Sequence, residues 1–398
     1  MNRIACILLL SSALALTSWG EGRATTWIVA KDGSGNYSVI QDALDVCAAG
    51  DTVRIKPGRY DDFRVHTFQL GGTGAGIMIP MVAPLTVIGA DQDSVFIGPE
   101  VMTTTYTGYD TGGIATDGVS GERIEVRGLT VENLEWPVTL RSPFTFVLCK
   151  FGAAHQAELA LDNAPDVIVQ DCLFEGTDLV GSMDGIRSFV GGNNPRFKLS
   201  NCTFRNLGQA TLLTGSNGFE YSNLTFEGVG VALGFEYGST GTVTDCRIGE
   251  SDLQTWRIVA DSGSRVTLDH VNVASSPGTL KLVDANTSVT GTHLHLGGGS
   301  YSTVYVATGA SLTLHDCDIL NAGGYSLFAH DLLDSGGNVD VQQCYWGTVD
   351  SLQVEEWIVD GKDDPGYKNV LFWPIRETPV PVKAESVGGL KALFHSAH

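Results

Sequence analysis

Six of the eight cysteines occupy the same position of a repeated, strand-like segment. In copies such as IVQDCLF (168–174) and TVTDCRI (242–248), an apolar residue and a polar residue precede the cysteine, and a large apolar residue stands two positions after it. Successive copies lie about 20 to 30 residues apart. A period of this length with strand-like patterning predicts a β-solenoid. The positions of this cysteine column are Leu129, Cys149, Cys172, Cys202, Leu224, Cys246, Val271, Thr292, Cys317 and Cys344.

Each copy also predicts a bend just before the column. The column residue and the residue two positions later point to one face of a strand. A further apolar residue lies three positions earlier, and this odd offset requires the chain to turn between them. We therefore predict coils of short strands that stack by parallel pairing, with the cysteines as small buried residues. The bend falls on residue types that tolerate left-handed backbone, namely Asp171, Asn201, Asn223, Asp245 and Asp316.

The cysteines of neighbouring coils are expected ~4.8 Å apart, which is within the Cα range of a disulfide. Three pairs qualify, namely Cys149–Cys172, Cys172–Cys202 and Cys317–Cys344. Side chains stacked in register point alongside each other rather than toward each other, so free thiols are favoured over disulfides. Metal binding by the column is disfavoured, because ligands spaced one per coil do not surround a point.

The overall charge limits the partners. The chain carries 45 acidic and 24 basic residues, for a net charge of −21. This balance argues against nucleic acid and against anionic membrane surfaces. A polyanionic substrate would need a local basic patch or a bound cation. The composition suits one large solenoid domain, which we expect to be a monomer.

The first 24 residues resemble an export signal. Arg3 supplies a positive start, ILLLSSALAL (7–16) is an apolar core, and Gly22-Arg23-Ala24 has the form of a cleavage site. The apolar run is too short to span a bilayer. The sequence therefore predicts a protein that is secreted, or held at the cell surface or in the periplasm, without a membrane span.

Both ends of the repeat region, 25–376, are predicted to be capped, and 377–398 reads as a linker and flexible tail. Near the start, the pattern predicts an amphipathic helix that covers the open end of the solenoid, with Gln41, Asp42 and Asp45 facing outward. A second amphipathic segment is predicted over the last coil. The inward residues of the two segments are Val39, Ile40, Ala43, Leu44 and Cys47, and then Val349, Leu352, Trp357 and Ile358.

Two stretches carry a family resemblance. VAKDGSGNYSVIQDAL and GDTVRIKPGRY, followed by LTVIGADQDSVFI (85–97), resemble the opening of right-handed parallel β-helix proteins of the pectin-lyase-like superfamily. The stretch 344–375 is similar to the closing segment of bacterial secreted members. The resemblance spans about residues 25–376 and implies an all-β, right-handed parallel β-helix. It does not imply one activity, because this fold hosts lyases, hydrolases, esterases, epimerases and non-enzymes.

The catalytic motifs of the familiar members are missing from the sequence. The nearest match to the pectin methylesterase motifs is Gln170-Asp171-Cys172-Leu173-Phe174, which lies in the repeat with Cys172 in the core column. The motif sets of polygalacturonases and of the commonest pectate lyases do not occur either. No specific enzyme family is matched.

One strand per coil, roughly opposite the cysteine column, offers candidate binding residues on its outward side. Stacked ~4.8 Å apart, they would form a ladder of charged and aromatic groups along which a glycan could lie. The same alternation is also what an ordinary solvated strand face shows. The candidates are Arg141, Glu236, Arg257, Lys281, Tyr305 and His330, with the aromatic neighbours Trp256 and Tyr237.

The candidate catalytic residues are Asp184, Arg187 and Asp162. Asp184 and Arg187 lie in the longest interval of the repeat, 176–197, and extra loop beside a solenoid sheet is where function usually lies. Paired acids there could act as general acid and base. Asp178 and Arg196 belong to the same interval.

Neither a cofactor nor a metal site is expected, and calcium enters only if the protein is a lyase. His293 and His295 share a strand face, but no carboxylate or third histidine lies near them in the sequence. The expected function is contact with polysaccharide, by either a non-catalytic binding or scaffold protein or a divergent carbohydrate-active enzyme. The alternative to this reading is a polysaccharide lyase or hydrolase acting on an acidic glycan such as pectin.

Overall fold

The computed structural model describes residues 24–67, 73–116, 118, 122–177, 184–189, 194–251, 253–307, 309–330 and 337–381. These residues form a β-solenoid of about 13 turns. Each turn contributes strands to three faces of the solenoid, and the strands of each face pair in parallel. We number the faces in the order in which the chain meets them. The predicted export signal and most of the predicted tail lie outside the described residues.

Face 1 carries the apolar residue that precedes each bend. Its strands pair in parallel from one end of the solenoid to the other. They are Thr26–Val29 (β1), Thr52–Ile55 (β2), Leu85–Gly89 (β6), Ile124–Arg127 (β10), Phe144–Val147 (β13), Ile168–Gln170 (β16), Lys198–Ser200 (β19), Asn217–Ser222 (β22), Thr240–Ile248 (β25), Arg265–Val273 (β27), Ser288–Thr292 (β29), Ser311–His315 (β31), Val339–Asp340 (β34) and Val370–Leu371 (β36).

Face 2 follows the bend, and its strands begin just after the cysteine column. β25 and β27 run through the bend and belong to both faces, and the start of His295–Ala307 (β30) also pairs here. The remaining strands are Gly58–Tyr60 (β3), Val95–Ile97 (β7), Thr130–Leu134 (β11), Lys150–Ala154 (β14), Leu173–Glu175 (β17), Thr203–Arg205 (β20), Thr225–Glu227 (β23) and Asp318–Asn321 (β32).

Face 3 contains the strands on which the candidate residues were predicted. Two short antiparallel strands, Arg64–Thr67 (β4) and Thr105–Tyr106 (β8), flank its first members. The parallel strands are Thr73–Met78 (β5), Tyr109–Ala115 (β9), Trp136–Leu140 (β12), Ala157–Leu161 (β15), Asp184–Ser188 (β18), Gln209–Thr214 (β21), Val231–Glu236 (β24), Trp256–Ala260 (β26), Ser276–Leu282 (β28), His295–Ala307 (β30), Tyr325–His330 (β33) and Ile358–Val359 (β35).

The interior follows the repeat. Phe151, Phe174, Phe204 and Phe226, each two positions after the column, are buried and stack ring on ring with centroids 4.6 to 5.1 Å apart. In-register stacking of identical side chains is what parallel pairing imposes, because each turn repeats the position of the one before. The predicted core pattern is therefore confirmed, except that the register places the buried Leu294, and not Thr292, in the cysteine column.

The predicted bends are also confirmed. The residue before the column is left-handed in turn after turn, with φ of 54° at Asp171, 54° at Asn201, 52° at Asn223 and 53° at Asp245. Asparagine and aspartate tolerate this conformation because their short side chains form local hydrogen bonds. Asn223 Nδ2 donates to Asn201 Oδ1 at 2.9 Å, so the bends are also linked from turn to turn.

The cysteines of the described residues are buried free thiols, which agrees with the sequence prediction. Burial raises the pKa of Cys246 to about 12. A thiol with so high a pKa stays protonated at neutral pH and is a poor nucleophile and metal ligand. The described cysteines therefore act as small core residues.

The first helix is much shorter than predicted. It covers only Ile40–Leu44 (α1), so an amphipathic helix cap stays a prediction. Gln41, expected to face outward, is buried instead. Its side-chain amide donates to Ile79 O at 3.2 Å and its carbonyl accepts from Ile79 N at 2.8 Å, which ties α1 to the end of β5.

The predicted C-terminal cap is wrong in part. The second helix covers only Ser351–Glu356 (α2). Val349 and Leu352 are 61% and 77% exposed, so neither packs on the last coil. The predicted Ile358 is buried and the predicted Trp357 packs partly buried against the core, and Val354, which was not predicted, is buried as well. The sequence pattern misled because a helix of six residues has too few turns to present a continuous apolar side.

Candidate functional site

The outward side of face 3 brings several predicted residues into two columns. Arg187, Lys281 and Tyr305 lie in a central column, because register pairs Arg187 with Leu212, then Gly234, Val259, Lys281 and Tyr305 in successive turns. Five steps of ~4.8 Å separate Arg187 from Tyr305 by about 24 Å. The flanking column, two residues further along each strand, holds Arg141, Asp162, Glu236 and His330.

Asp184, Arg187 and Glu236 form one electrostatic cluster. Arg187 Nη1 lies 3.4 Å from Asp184 Oδ2, and the Asp184 side chain is only 6% exposed while that of Arg187 is 40% exposed. Burial, opposed by the charge of Arg187 and reinforced by that of Glu236, raises the pKa of Asp184 to about 6. The carboxyl group of Asp184 is therefore partly protonated near neutral pH.

The cluster extends into the next turn from Glu236 to Asp261. Burial, with the nearby charge of Asp261, raises the pKa of Glu236, and the charge of Arg187 opposes this rise. Burial also raises the pKa of Asp261, with Asp284 adding to the rise and Lys281 opposing it. Carboxyl groups with raised pKa values that meet on one surface are typical of sites that transfer protons.

Arg141 and Asp162 form an ion pair of their own on the same side of face 3. Arg141 Nε donates to Asp162 Oδ2 at 2.7 Å. No hydrogen bond or ion pair among the described residues joins this pair to Asp184. The structure thus separates Asp162 from the two residues with which it was predicted to act.

The later turns of face 3 are aromatic. Tyr305 stacks on Phe328 with ring centroids 5.7 Å apart and an interplanar angle of 13°, and Trp256 lies 5.9 Å from Tyr305. Tyr301 and Tyr325 are 62% and 47% exposed and line a shallow hollow with Phe328. The members of this aromatic half are Trp256, Tyr301, Tyr305, Tyr325, Phe328, His330 and Tyr367.

The prediction that Arg257 faces outward is wrong. Its side chain is fully buried, and it donates from Nη1 to Val229 O and Gly230 O, both at 2.8 Å, and from Nη2 to Ser251 O at 3.0 Å. Strand alternation fails here because Arg257 stands at the start of β26, where the chain turns into the strand. The register-equivalent residues in earlier turns are small, Gly185, Ala210 and Ala232, and that pattern could have indicated an inward position.

Three further candidates fall away from the cluster. Asp178 lies outside the described residues. Arg196 is exposed, and its Nη2 lies 2.5 Å from Asp166 Oδ2. It stands just before strand β19 of face 1 rather than beside Asp184. Tyr237 is 56% exposed with a left-handed φ of 51°, at the turn that ends β24.

Sequence reasoning missed Glu158, a fully buried carboxyl group in strand β15 of face 3. Neither carboxylate oxygen has a hydrogen-bond partner among the described residues. Burial, with the charge of Glu175 adding to it, raises the pKa of Glu158 well above its ordinary value. Register places Glu158 one turn before Gly185, at the position that Arg257 occupies four turns after Glu158. Apart from those small residues, nothing in the local sequence marks it.

Comparison with known proteins agrees with this architecture. Residues 185–347 match the family model described as right handed β-helix region. An alginate lyase from Paenibacillus sp. str. FPU-7 is 13% identical, with a TM-score of 0.52, over 75% of this chain and 99% of that one. The pectin methylesterase from carrot is 15% identical, with a TM-score of 0.39, over 85% and 93%.

Residues 185–347 thus carry a right-handed β-helix region, and the chain shares its fold with the alginate lyase. At these identities the likeness concerns the fold alone. No curated protein matches the sequence significantly. Both helices of the described residues are too short and too polar to cross a membrane.

Proposed function

We propose that the outward side of face 3 binds a polysaccharide and that Asp184, Arg187 and Glu236 cleave a glycosidic bond in it. The observation that carries this proposal is the position of Arg187, which lies 3.4 Å from the buried Asp184 and acts electrostatically on Glu236, so that one arginine serves two carboxyl groups with raised pKa values. Glycosidic cleavage by paired carboxyl groups requires one that holds a proton and one that is ionised.

The two carboxyl groups suit different roles. Asp184 is buried with a pKa of about 6, so it can donate a proton to the leaving oxygen near neutral pH. Glu236 is the more open group and can act as the base or nucleophile. Arg187 lies next to Asp184 and can donate hydrogen bonds to a sugar hydroxyl while it limits the rise in the pKa of Asp184.

The charges on the surface favour a neutral glycan. The acids Asp162, Asp184, Glu236 and Asp261 outnumber the bases Arg141, Arg187 and Lys281, and one of each is already used in the Arg141–Asp162 pair. A uronate polymer would meet like charges along this path, with a cost that only a bound cation could offset. A hydrolase of neutral polysaccharide therefore fits better than a lyase of acidic glycan.

A specific observation also favours a second function, binding without cleavage. The aromatic half presents Tyr301 and Tyr325 to solvent beside the stacked Tyr305 and Phe328. Sugar rings have apolar C–H faces that pack on aromatic rings. If the charged cluster is inert, this half alone would make the protein a polysaccharide-binding module.

We further propose that residues 1–24 direct export and are removed. The protein would then work outside the cell or in the periplasm, where polysaccharides are met. The buried Ile40, Ala43 and Leu44 of α1 would cover the first turn of the solenoid against strand addition at its open edge.

The test uses the mature chain, residues 25–398, with a panel of neutral glucans, xylan and mannan and of acidic pectin and alginate. New reducing ends would report any cleavage, and ultraviolet absorbance of unsaturated sugar would report a lyase. Each assay is run with calcium and with a chelator. We expect reducing ends from a neutral polymer, without unsaturation and without a calcium requirement.

Unsaturated product that appears only with calcium would replace this proposal with the acidic-glycan lyase. Binding to a polymer without any release, by folded protein, would leave the binding module as the function.

A further inference from the structure

A compact group of two histidines and one aspartate lies on a different part of the solenoid, at the bend between faces 1 and 2. Asp269 and His270 belong to β27, and His293 follows β29 in the next turn. Register pairs Asp269 with Thr292, so His270 and His293 stand at equivalent positions of adjacent turns. Their rings stack with centroids 4.5 Å apart.

Both rings converge on the same carboxylate. His270 Nδ1 lies 2.9 Å from Asp269 Oδ2, and His293 Nδ1 lies 2.9 Å from Asp269 Oδ1. Thr292 Oγ1 also donates to Asp269 Oδ1 at 2.9 Å. Burial alone would raise the pKa of Asp269, but these hydrogen bonds outweigh it and lower the pKa to about 2.

We propose that Asp269, His270 and His293 bind a transition-metal ion of the zinc or nickel type, with one carboxylate oxygen and one ring nitrogen from each histidine. Their ligand atoms lie within 4.8 Å of one another. Bonds of about 2.0–2.2 Å to a single Zn²⁺ place ligands about 3–4 Å apart, so a modest rotation of half-exposed imidazoles completes the site. Two imidazoles and one carboxylate suit zinc, nickel or copper rather than calcium or magnesium.

The backbone supports this arrangement. His270 and His293 have left-handed φ values of 52° and 54°, like the asparagines at the same bend in earlier turns. Parallel pairing on both sides of the bend holds the two rings one turn apart. Three protein ligands leave positions open for water or a further ligand, as in sites that are not purely structural.

The neighbouring turns explain why the sequence did not reveal the site. Sequence reasoning considered His293 together with His295, but His295 Nδ1 lies 2.9 Å from the buried Asp318 instead. The true partners of His293 lie one turn earlier, more than twenty residues away in the chain. Asp245 and Asp316 occupy the same bend in the turns before and after, and Asp316 is paired with Arg376 at 3.1 Å.

Isothermal titration calorimetry of the mature chain with ZnCl₂ and with NiCl₂ would test the site. We expect one ion per protein and at least about tenfold weaker binding in His270→Asn and in His293→Asn. Asparagine is chosen because Asn201 and Asn223 take the same left-handed conformation at this bend, so these variants should keep the fold. Circular dichroism of each variant checks this.

The matched control is His155→Asn. His155 is also exposed and lies 2.9 Å from a single carboxylate, that of Glu135, but it has no second histidine. We expect unchanged metal affinity in this variant. Equal loss in the control and in the site variants, or unchanged binding in folded His270→Asn and His293→Asn, would overturn the proposal.

Discussion

The two halves of face 3 have the same backbone and different chemistry. Arg187 and Tyr305 stand in one register column, about five turns apart. Around Arg187 the surface carries carboxyl groups with raised pKa values, whereas around Tyr305 it carries stacked rings. The fold thus provides a repeated platform, and side-chain identity alone distinguishes the charged turns from the aromatic ones.

This division assigns separable roles to the halves. A polymer that lies along the column would contact both, because the strands on which they stand are continuous in register. Removal of the charged side chains should abolish the proposed cleavage and leave polysaccharide binding intact. Removal of the aromatic side chains should weaken polysaccharide binding and leave kcat unchanged. The predictions below test that separation, beginning with the largest effect.

Asp184→Asn should abolish most of the activity. It removes the only proton that Asp184 can donate, and a lost general acid lowers kcat by about 10²–10⁴-fold. Because asparagine has nearly the same shape, binding of the polymer should change little. Reducing-end release and affinity electrophoresis measure the two quantities.

The matched control is Asp162→Asn, which breaks the Arg141–Asp162 ion pair on the same side of face 3. We expect kcat to stay within a few-fold of the wild type. If Asp162→Asn lowers kcat as much as Asp184→Asn, the charged half is not centred on Asp184.

Two fully buried charged residues of face 3 also differ from each other. We expect their substitution to have opposite effects on stability. Glu158 and Arg257 take equivalent positions and are fully buried. Arg257 donates to three backbone carbonyls, whereas neither Glu158 oxygen has a partner among the described residues. We therefore expect Glu158→Met to raise the free energy of unfolding at pH 7 by about 1–3 kcal/mol and Arg257→Met to lower it by a similar amount.

The pH dependence of the Glu158→Met effect follows from the raised pKa of Glu158. Above the unfolded pKa, the unfolded glutamate is ionised while the folded one keeps its proton, so wild-type stability falls as pH rises. The difference between variant and wild type should therefore grow from pH 4 to pH 7 in urea unfolding. A constant difference would show that the carboxyl group is not the cause.

Much of the fold could be predicted from the sequence, because parallel stacking converts a repeat directly into columns. The bend at Asn201 and the core ring of Phe204 followed from spacing alone. The site was harder, because alternation holds only within a strand. It placed Arg187 and Tyr305 outward, but it failed for Arg257 at the start of β26.

Contacts between turns could not be predicted from local sequence. The electrostatic link of Asp184 to Glu236 joins residues two turns apart. The buried Glu158 shares a register column with small residues of later turns. Register over several turns decides such contacts, and insertions in the loops shift the count. A one-residue error moves a side chain to the opposite face.

Tyr305→Ala should weaken polymer binding without a change in kcat. The ring stacks on Phe328 and packs beside Trp256, so its loss removes one stacking surface and loosens its neighbours. Such contacts contribute about 0.5–1.5 kcal/mol, which corresponds to at most about a tenfold rise in KM. Tyr109→Ala, an exposed tyrosine near the first turns, is the control and should leave KM unchanged. A fall in kcat in Tyr305→Ala would show that the aromatic half takes part in chemistry.

The smallest effect concerns the coupling within the charged half. The charge of Glu236 helps to raise the pKa of Asp184, so Glu236→Gln should lower that pKa by a fraction of a unit. Since the coupling acts through space, it should weaken at high salt. Carbon-13 NMR titration of the aspartate carboxyl groups measures the shift without any need for activity. Glu227→Gln, which breaks the exposed Arg205–Glu227 pair on face 2, should leave Asp184 unchanged. An unchanged Asp184 pKa in Glu236→Gln would mean that burial alone sets it, and the two carboxyl groups would then not form one site.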